Sequence, residues 1–111
     1  MERCLQLSGE VFQLTSGLPR SENYGLCSQL RRASNSEGAN IAEGFGRDGT
    51  KEKVQFYRIS RGSAHEVIHH LLYGVQVKYF ETVKVNGIIQ EYEKLIFRLN
   101  KLLKSLMKVG K

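Results

Sequence analysis

A chain of 111 residues suffices for one domain around one core, so residues 1–111 are read as a single domain. With 41% hydrophobic and 25% charged residues the composition is globular, and no apolar run approaches the ~20 residues that cross a bilayer, which excludes a membrane partner. The net charge is +6, and all of the excess lies in Lys94, Arg98, Lys101, Lys104, Lys108 and Lys111, where no acid intervenes; this points to a localised anionic partner.

The N-terminus, "MERCLQLSGE", is charged early and has no secretory apolar stretch, so the expected location is cytoplasmic, with Cys4 and Cys27 as reduced thiols. Its helix places Leu5, Leu7, Val11, Phe12 and Leu14 on a broad apolar face and stops at Gly17, with Pro19 just beyond. Ser21 can cap a second helix that runs to Arg47 through Leu26, Leu30, Ala33, Ile41 and Phe45. Gly25 and Gly38 weaken that helix, each by ~1 kcal/mol against alanine. Thr50 is the expected N-cap of a third helix carrying Val54, Tyr57, Arg61, Ala64, Ile68, Leu71 and Val75 at helical steps. Within it, Gly62 and Ser63 are small enough to permit close approach of a neighbour. "VKYFETVKVNG" turns into the last helix. There Val85, Ile88, Tyr92, Leu95, Leu99, Leu102, Leu106 and Val109 form a heptad seam at a and d, and Ile89, Ile96 and Leu103 widen it at e. The bases fall at c, f and g, off that face. No stretch alternates like a strand, so the fold class is all-α, an antiparallel up-and-down four-helix bundle.

Four motifs invite chemistry. "HEVIH", residues 65–69, matches the helical zinc motif in which His65 and His69 ligate and Glu66 activates water. Leu72 and Val75 stand where a longer metzincin pattern needs glycine and histidine, which leaves Glu91 as the third-ligand candidate. "GFGRDG", residues 44–49, fits a dinucleotide fingerprint but lacks the preceding strand, and its glycines more simply join two helices. Cys27 has no local partner for nucleophilic chemistry. In "QLRRASNSEGANIAEGFGR", Arg31, Arg32 and Arg47 offer cations, while Asn40 and Glu43 suit either a phosphate site or a network that fixes helix packing. No catalytic residue, metal site or cofactor is expected from these motifs.

The runs "LTSGLPRSENYGLCSQLRRAS", "NIAEGFGR" and "GSAHE" strongly resemble the four-helix bundle family encoded in intervening sequences of bacterial 23S ribosomal RNA genes. The resemblance covers about residues 5–105. Asn40, Ile41, Ala42, Glu43 and Gly44 with Arg47 are its most specific part; Gln29, Arg31, Arg32 and Ala33 match in the second helix, and Gly62, Ser63 and Glu66 in the third. It implies an antiparallel bundle assembling into a ring-like homopentamer. It also implies kinship to accessory proteins of reverse transcriptases in diversity-generating retroelements, where a basic pentamer binds the enzyme and nucleic acid. Glu37 and Gly38 depart from the family's apolar residue and proline, which changes the expected bend or exposure of the second helix.

The functional expectation is a non-enzymatic bacterial protein that binds RNA or DNA phosphates through Lys94, Arg98, Lys101, Lys104 and Lys108, with Arg31, Arg32 and Arg47 secondary. Asn40, Glu43, Gly44 and Glu66 are expected to be structural or partner contacts. The rival readings are an adaptor that binds another protein, such as a reverse transcriptase, and, more remotely, a zinc hydrolase.

Overall fold

The computed structural model describes residues 2–109, and within them there are four α-helices and no strand: α1 (Glu2–Thr15), α2 (Leu26–Phe45), α3 (Thr50–Gln76) and α4 (Thr82–Val109). A short 3-10 turn at Arg20–Glu22 precedes α2. Lys111 and the Val109 side chain lie outside what is described. Among the described residues no helix is long and apolar enough to cross a membrane.

The helices pack in chain order. α1 lies on α2, α2 on α3 and α3 on α4, while α1 touches α4 only lightly. Hydrogen bonds mark the pairings. Cys4 meets Glu37, Ser8 meets Ser34 and Thr15 meets Arg31 between α1 and α2. Ser60 meets Glu37 and Lys53 meets Gly44 between α3 and α2, and Arg58 and Arg61 reach Met107 and Asn100 on α4. In each pair of helices one residue number falls as the other rises.

The core follows the apolar spacing. Leu7, Val11, Leu30, Val67, Leu71, Val85 and Tyr92 are fully buried, each worth about 1.5–3 kcal/mol of transfer free energy for an aliphatic side chain. α1 has 14 residues and α4 has 28, so the far end is closed by three helices only, around Tyr57, Leu99 and Leu103 with Ile41, Val54 and Leu106. Two glycines allow tight contacts. A Cβ on Gly44 would stand 2.7 Å from the Tyr57 ring, and one on Gly74 would stand 2.2 Å from Phe80. Lys78, at φ 66°, takes the left-handed conformation that turns the chain from α3 toward α4.

Several expectations need correction. α2 begins at Leu26, not behind Ser21. Gly25 adopts ψ −115° as the N-cap, and the Glu22 carboxylate accepts from the Leu26 N–H at 3.1 Å, so the acid supplies the cap. α4 begins at Thr82, so "VKVNG" is helical. Leu5 is 72% exposed and Phe12 faces outward; Cys4, Leu7 and Val11 form the narrower face that α1 buries. Leu102, expected at d, is 40% exposed, while Leu103, expected at e, is buried in the lower core. Gly62 has nothing within 4 Å of its Cβ position, and close approach falls to Ser60 and Ser63, whose hydroxyls donate to Glu37 O and Ser36 Oγ.

α2 runs unbroken through the departure at Glu37 and Gly38. Glu37 instead projects into the core, fully buried, where its Oε2 accepts from the Cys4 thiol at 3.2 Å. Its Oε1 has no hydrogen-bond partner, and neither does the buried Tyr92 hydroxyl among the described residues. Burial lifts the Glu37 carboxyl above its ordinary range. Burial, then the neighbouring Glu37, pushes the Cys4 thiol up to about 12.

Candidate nucleic-acid interface

The heptad places α4 apolar inward and basic outward. Lys94, Arg98, Lys101, Lys104 and Lys108 are all exposed, as that register requires. Fourteen residues separate the first from the last, so the row extends over about 21 Å at ~1.5 Å per residue. Lys94 lies 3.6 Å from Glu91, which also takes the Arg3 guanidinium. Among the described residues, Arg98, Lys101, Lys104 and Lys108 stand in no ion pair.

Phe97 lies near the start of this row, between Lys94 and Arg98, and is 62% exposed. It shares a shallow depression with Gln90, Glu93, Lys94 and Arg98, and the Lys101 ammonium stands 5.2 Å from its ring centroid. An aromatic face held among cations is the arrangement that stacks an unpaired base while phosphates are neutralised beside it. Sequence reasoning passed over Phe97 because it belongs to none of the a, d or e rows. That was also the signal: a large aromatic off the seam, three residues from Lys94 and four from Lys101.

The secondary arginines do not join this ridge. Arg31 donates from Nε to Thr15 Oγ1 at 2.9 Å, reaches Phe12 O and Ser16 Oγ at 3.4 Å, and lies 3.9 Å over the Phe12 ring. It thereby ties α2 to the last turn of α1 through one carbonyl and two hydroxyls. Arg32 is exposed on α2. Arg47, beyond the end of α2, meets Glu43 at 2.9 Å and Glu52 at 3.9 Å.

The motif residues work within the helices. Asn40 donates to Ser36 O at 2.8 Å, Gly44 admits the Tyr57 ring, and Lys53 donates to the Gly44 and Phe45 carbonyls at the end of α2. Glu66 is exposed, 3.3 Å from His70. His65 and His69 are exposed, Glu91 is held by Arg3, and the described residues contain no group of three or more His, Cys, Asp or Glu side chains placed to hold a metal. "GFGRDG" spans the end of α2 and the start of α3, with Gly46 and Gly49 as their caps.

Comparison with known proteins agrees with this architecture. The profile described as "23S rRNA-intervening sequence protein" matches residues 1–101. Among solved structures, a protein of unknown function from the S23 ribosomal protein family of Bacteroides thetaiotaomicron superposes with a TM-score of 0.86 at 18% identity, over 93% of this chain and 96% of that one. At that identity the likeness speaks for the fold. No functionally curated protein matches.

Proposed function

The chain belongs to the 23S rRNA-intervening sequence protein family, and on that premise we propose that it is a non-enzymatic protein that binds single-stranded RNA or DNA along the outer ridge of α4. Lys94, Arg98, Lys101, Lys104 and Lys108 neutralise phosphates, and Phe97 stacks a base. The observation that carries this reading is the exposed Phe97 ring set among Lys94, Arg98 and Lys101. Phosphates alone would be served by lysines, but an aromatic exposed to water costs solvation and offers a π-face that every base can use, worth about 1–3 kcal/mol per stacked base.

We read the four helices as an antiparallel up-and-down bundle, supported by the opposed numbering of the contact pairs. We read the working unit as a cytoplasmic homopentamer. The uncovered Leu5, Phe12, Phe45 and Leu102 side chains support self-association, and the family resemblance suggests the subunit number. A ring would repeat the ridge once per subunit and strengthen weak contacts by avidity. The non-enzymatic reading is supported by the burial of Cys4, Glu37 and Tyr92, which lie inside the core where no substrate reaches them.

The test is fluorescence anisotropy of a labelled single-stranded oligonucleotide across a salt series. The expected result is a linear fall of log affinity with log salt, whose slope of about −0.7 per neutralised phosphate becomes shallower when Lys101, Lys104 and Lys108 are changed to glutamate. A salt-independent affinity, or none at low salt, overturns the proposal.

A further inference from the structure

We propose that a groove between α3 and α4, separate from the Phe97 ridge, receives an acidic amphipathic helix of another protein. It lies at the end of the molecule that α1 does not reach, where only three helices close the core. Its volume is about 800 Å³. Val54, Ile59, Leu106 and Met107 form its floor, and Lys51 and Arg58 its rim. No acid lines it. Ile59 on α3 and Met107 on α4 are each 46% exposed and line the same groove, so apolar surface from two helices is open there. Met107 is unbranched and polarisable, so it conforms to whatever apolar anchor enters. The Arg58 guanidinium reaches only the Met107 sulfur at 3.6 Å, and neither Lys51 nor Arg58 is in an ion pair among the described residues.

The chemistry of the groove selects its occupant. A phosphate backbone could use the rim cations but would leave four aliphatic side chains in water. A second copy would have to meet the cationic rim away from its own basic α4 row, and the subunit measurement below distinguishes that occupant. A helix with leucines at i, i+3 and i+7 and glutamates on its flanks satisfies both layers: apolar anchors enter the floor and carboxylates meet Lys51 and Arg58. The lining of α3 runs from Thr50 to Ile59, about 15 Å of helix, which matches two to three turns of a partner.

The test uses a fluorescein-labelled synthetic peptide of that pattern, a scrambled peptide of the same composition, and a copy with lysine for glutamate, each titrated with the whole protein. The expected result is saturable binding of the first peptide alone. Ile59→Ser with Met107→Ser, and separately Lys51→Glu with Arg58→Glu, should each weaken it at least about tenfold, while Lys101→Glu leaves it unchanged. Every changed side chain is at the surface, and far-UV melts confirm that the variants fold. Equal binding of the scrambled peptide, no saturable binding, or indifference to both variant pairs overturns the proposal. So does a loss of subunits on Ile59→Ser with Met107→Ser, seen by sedimentation equilibrium, since a second copy then fills the groove. Oligonucleotide binding, measured on the same variants, reports independently on the α4 ridge.

Discussion

Replacing Glu37 by methionine should stabilise this protein. The side chain is fully buried; among the described residues its one hydrogen bond is from the Cys4 thiol, a weak donor, and Oε1 has no partner. A buried unsatisfied polar atom costs about 1–3 kcal/mol, and losing the weak thiol contact offsets only a small part of that. Methionine is unbranched like glutamate, so it follows the same channel with little repacking. The expected gain near neutral pH is therefore about 1–2 kcal/mol, or roughly 4–8 °C in Tm for a domain of this size. Its pH dependence carries the diagnosis. Burial raises the folded carboxyl above its unfolded value of about 4.3, so the folded state holds the proton more tightly. The wild type is then most stable, as far as this group is concerned, below pH ~4.3, and loses that contribution as pH rises through the raised folded value. The gain from Glu37→Met should grow from acid to neutral pH in urea melts followed by circular dichroism. A variant less stable than wild type across that range would show that the carboxyl is well satisfied and refute the reasoning.

Four further outcomes follow from the packing. Gly74→Ala would place a Cβ 2.2 Å from Phe80 and should cost about 1–3 kcal/mol in thermal melts, with partial recovery on adding Phe80→Leu. Arg31→Lys loses the fork to Thr15, Phe12 and Ser16 and should cost about 1–2 kcal/mol without altering the oligonucleotide salt slope. Cys4, buried with its thiol pushed up to about 12, should resist a disulfide reagent at pH 8 until urea unfolds the chain. His65→Ala with His69→Ala should leave stability within about 0.5 kcal/mol, since both rings are exposed.

The heptad of α4 was legible because burial acts on a strict period: Val85, Ile88, Ile89, Tyr92, Leu95, Ile96, Leu99 and Leu103 are all buried. The period does not report how far a neighbour extends, so Leu102 fits the pattern and is still uncovered beyond the end of α1. Leu5 and Phe12 are uncovered likewise, on a helix that packs mainly on α2 and only lightly on α4. Glu37 reads as a polar departure near the middle of a helix; that it points inward, toward Cys4 across a sequence separation of 33, is a tertiary fact no local rule contains. The basic row was read correctly as solvent-facing, whereas Arg31 and Arg47 have partners far from their sequence neighbours or across a turn. Phe97 shows the converse: an apolar letter that lies off the seam gains meaning from the cations that the helix brings around it.

The most direct measurement compares wild type, Phe97→Ala and Phe97→Tyr for binding a labelled single-stranded RNA and its duplex at one low salt concentration. Stacking predicts that single strand is preferred, that Phe97→Ala weakens it by about tenfold with little effect on the duplex, and that Phe97→Tyr retains it. Equal affinity for both forms, unchanged by Phe97→Ala, would contradict the account and leave α4 with a solvated basic face.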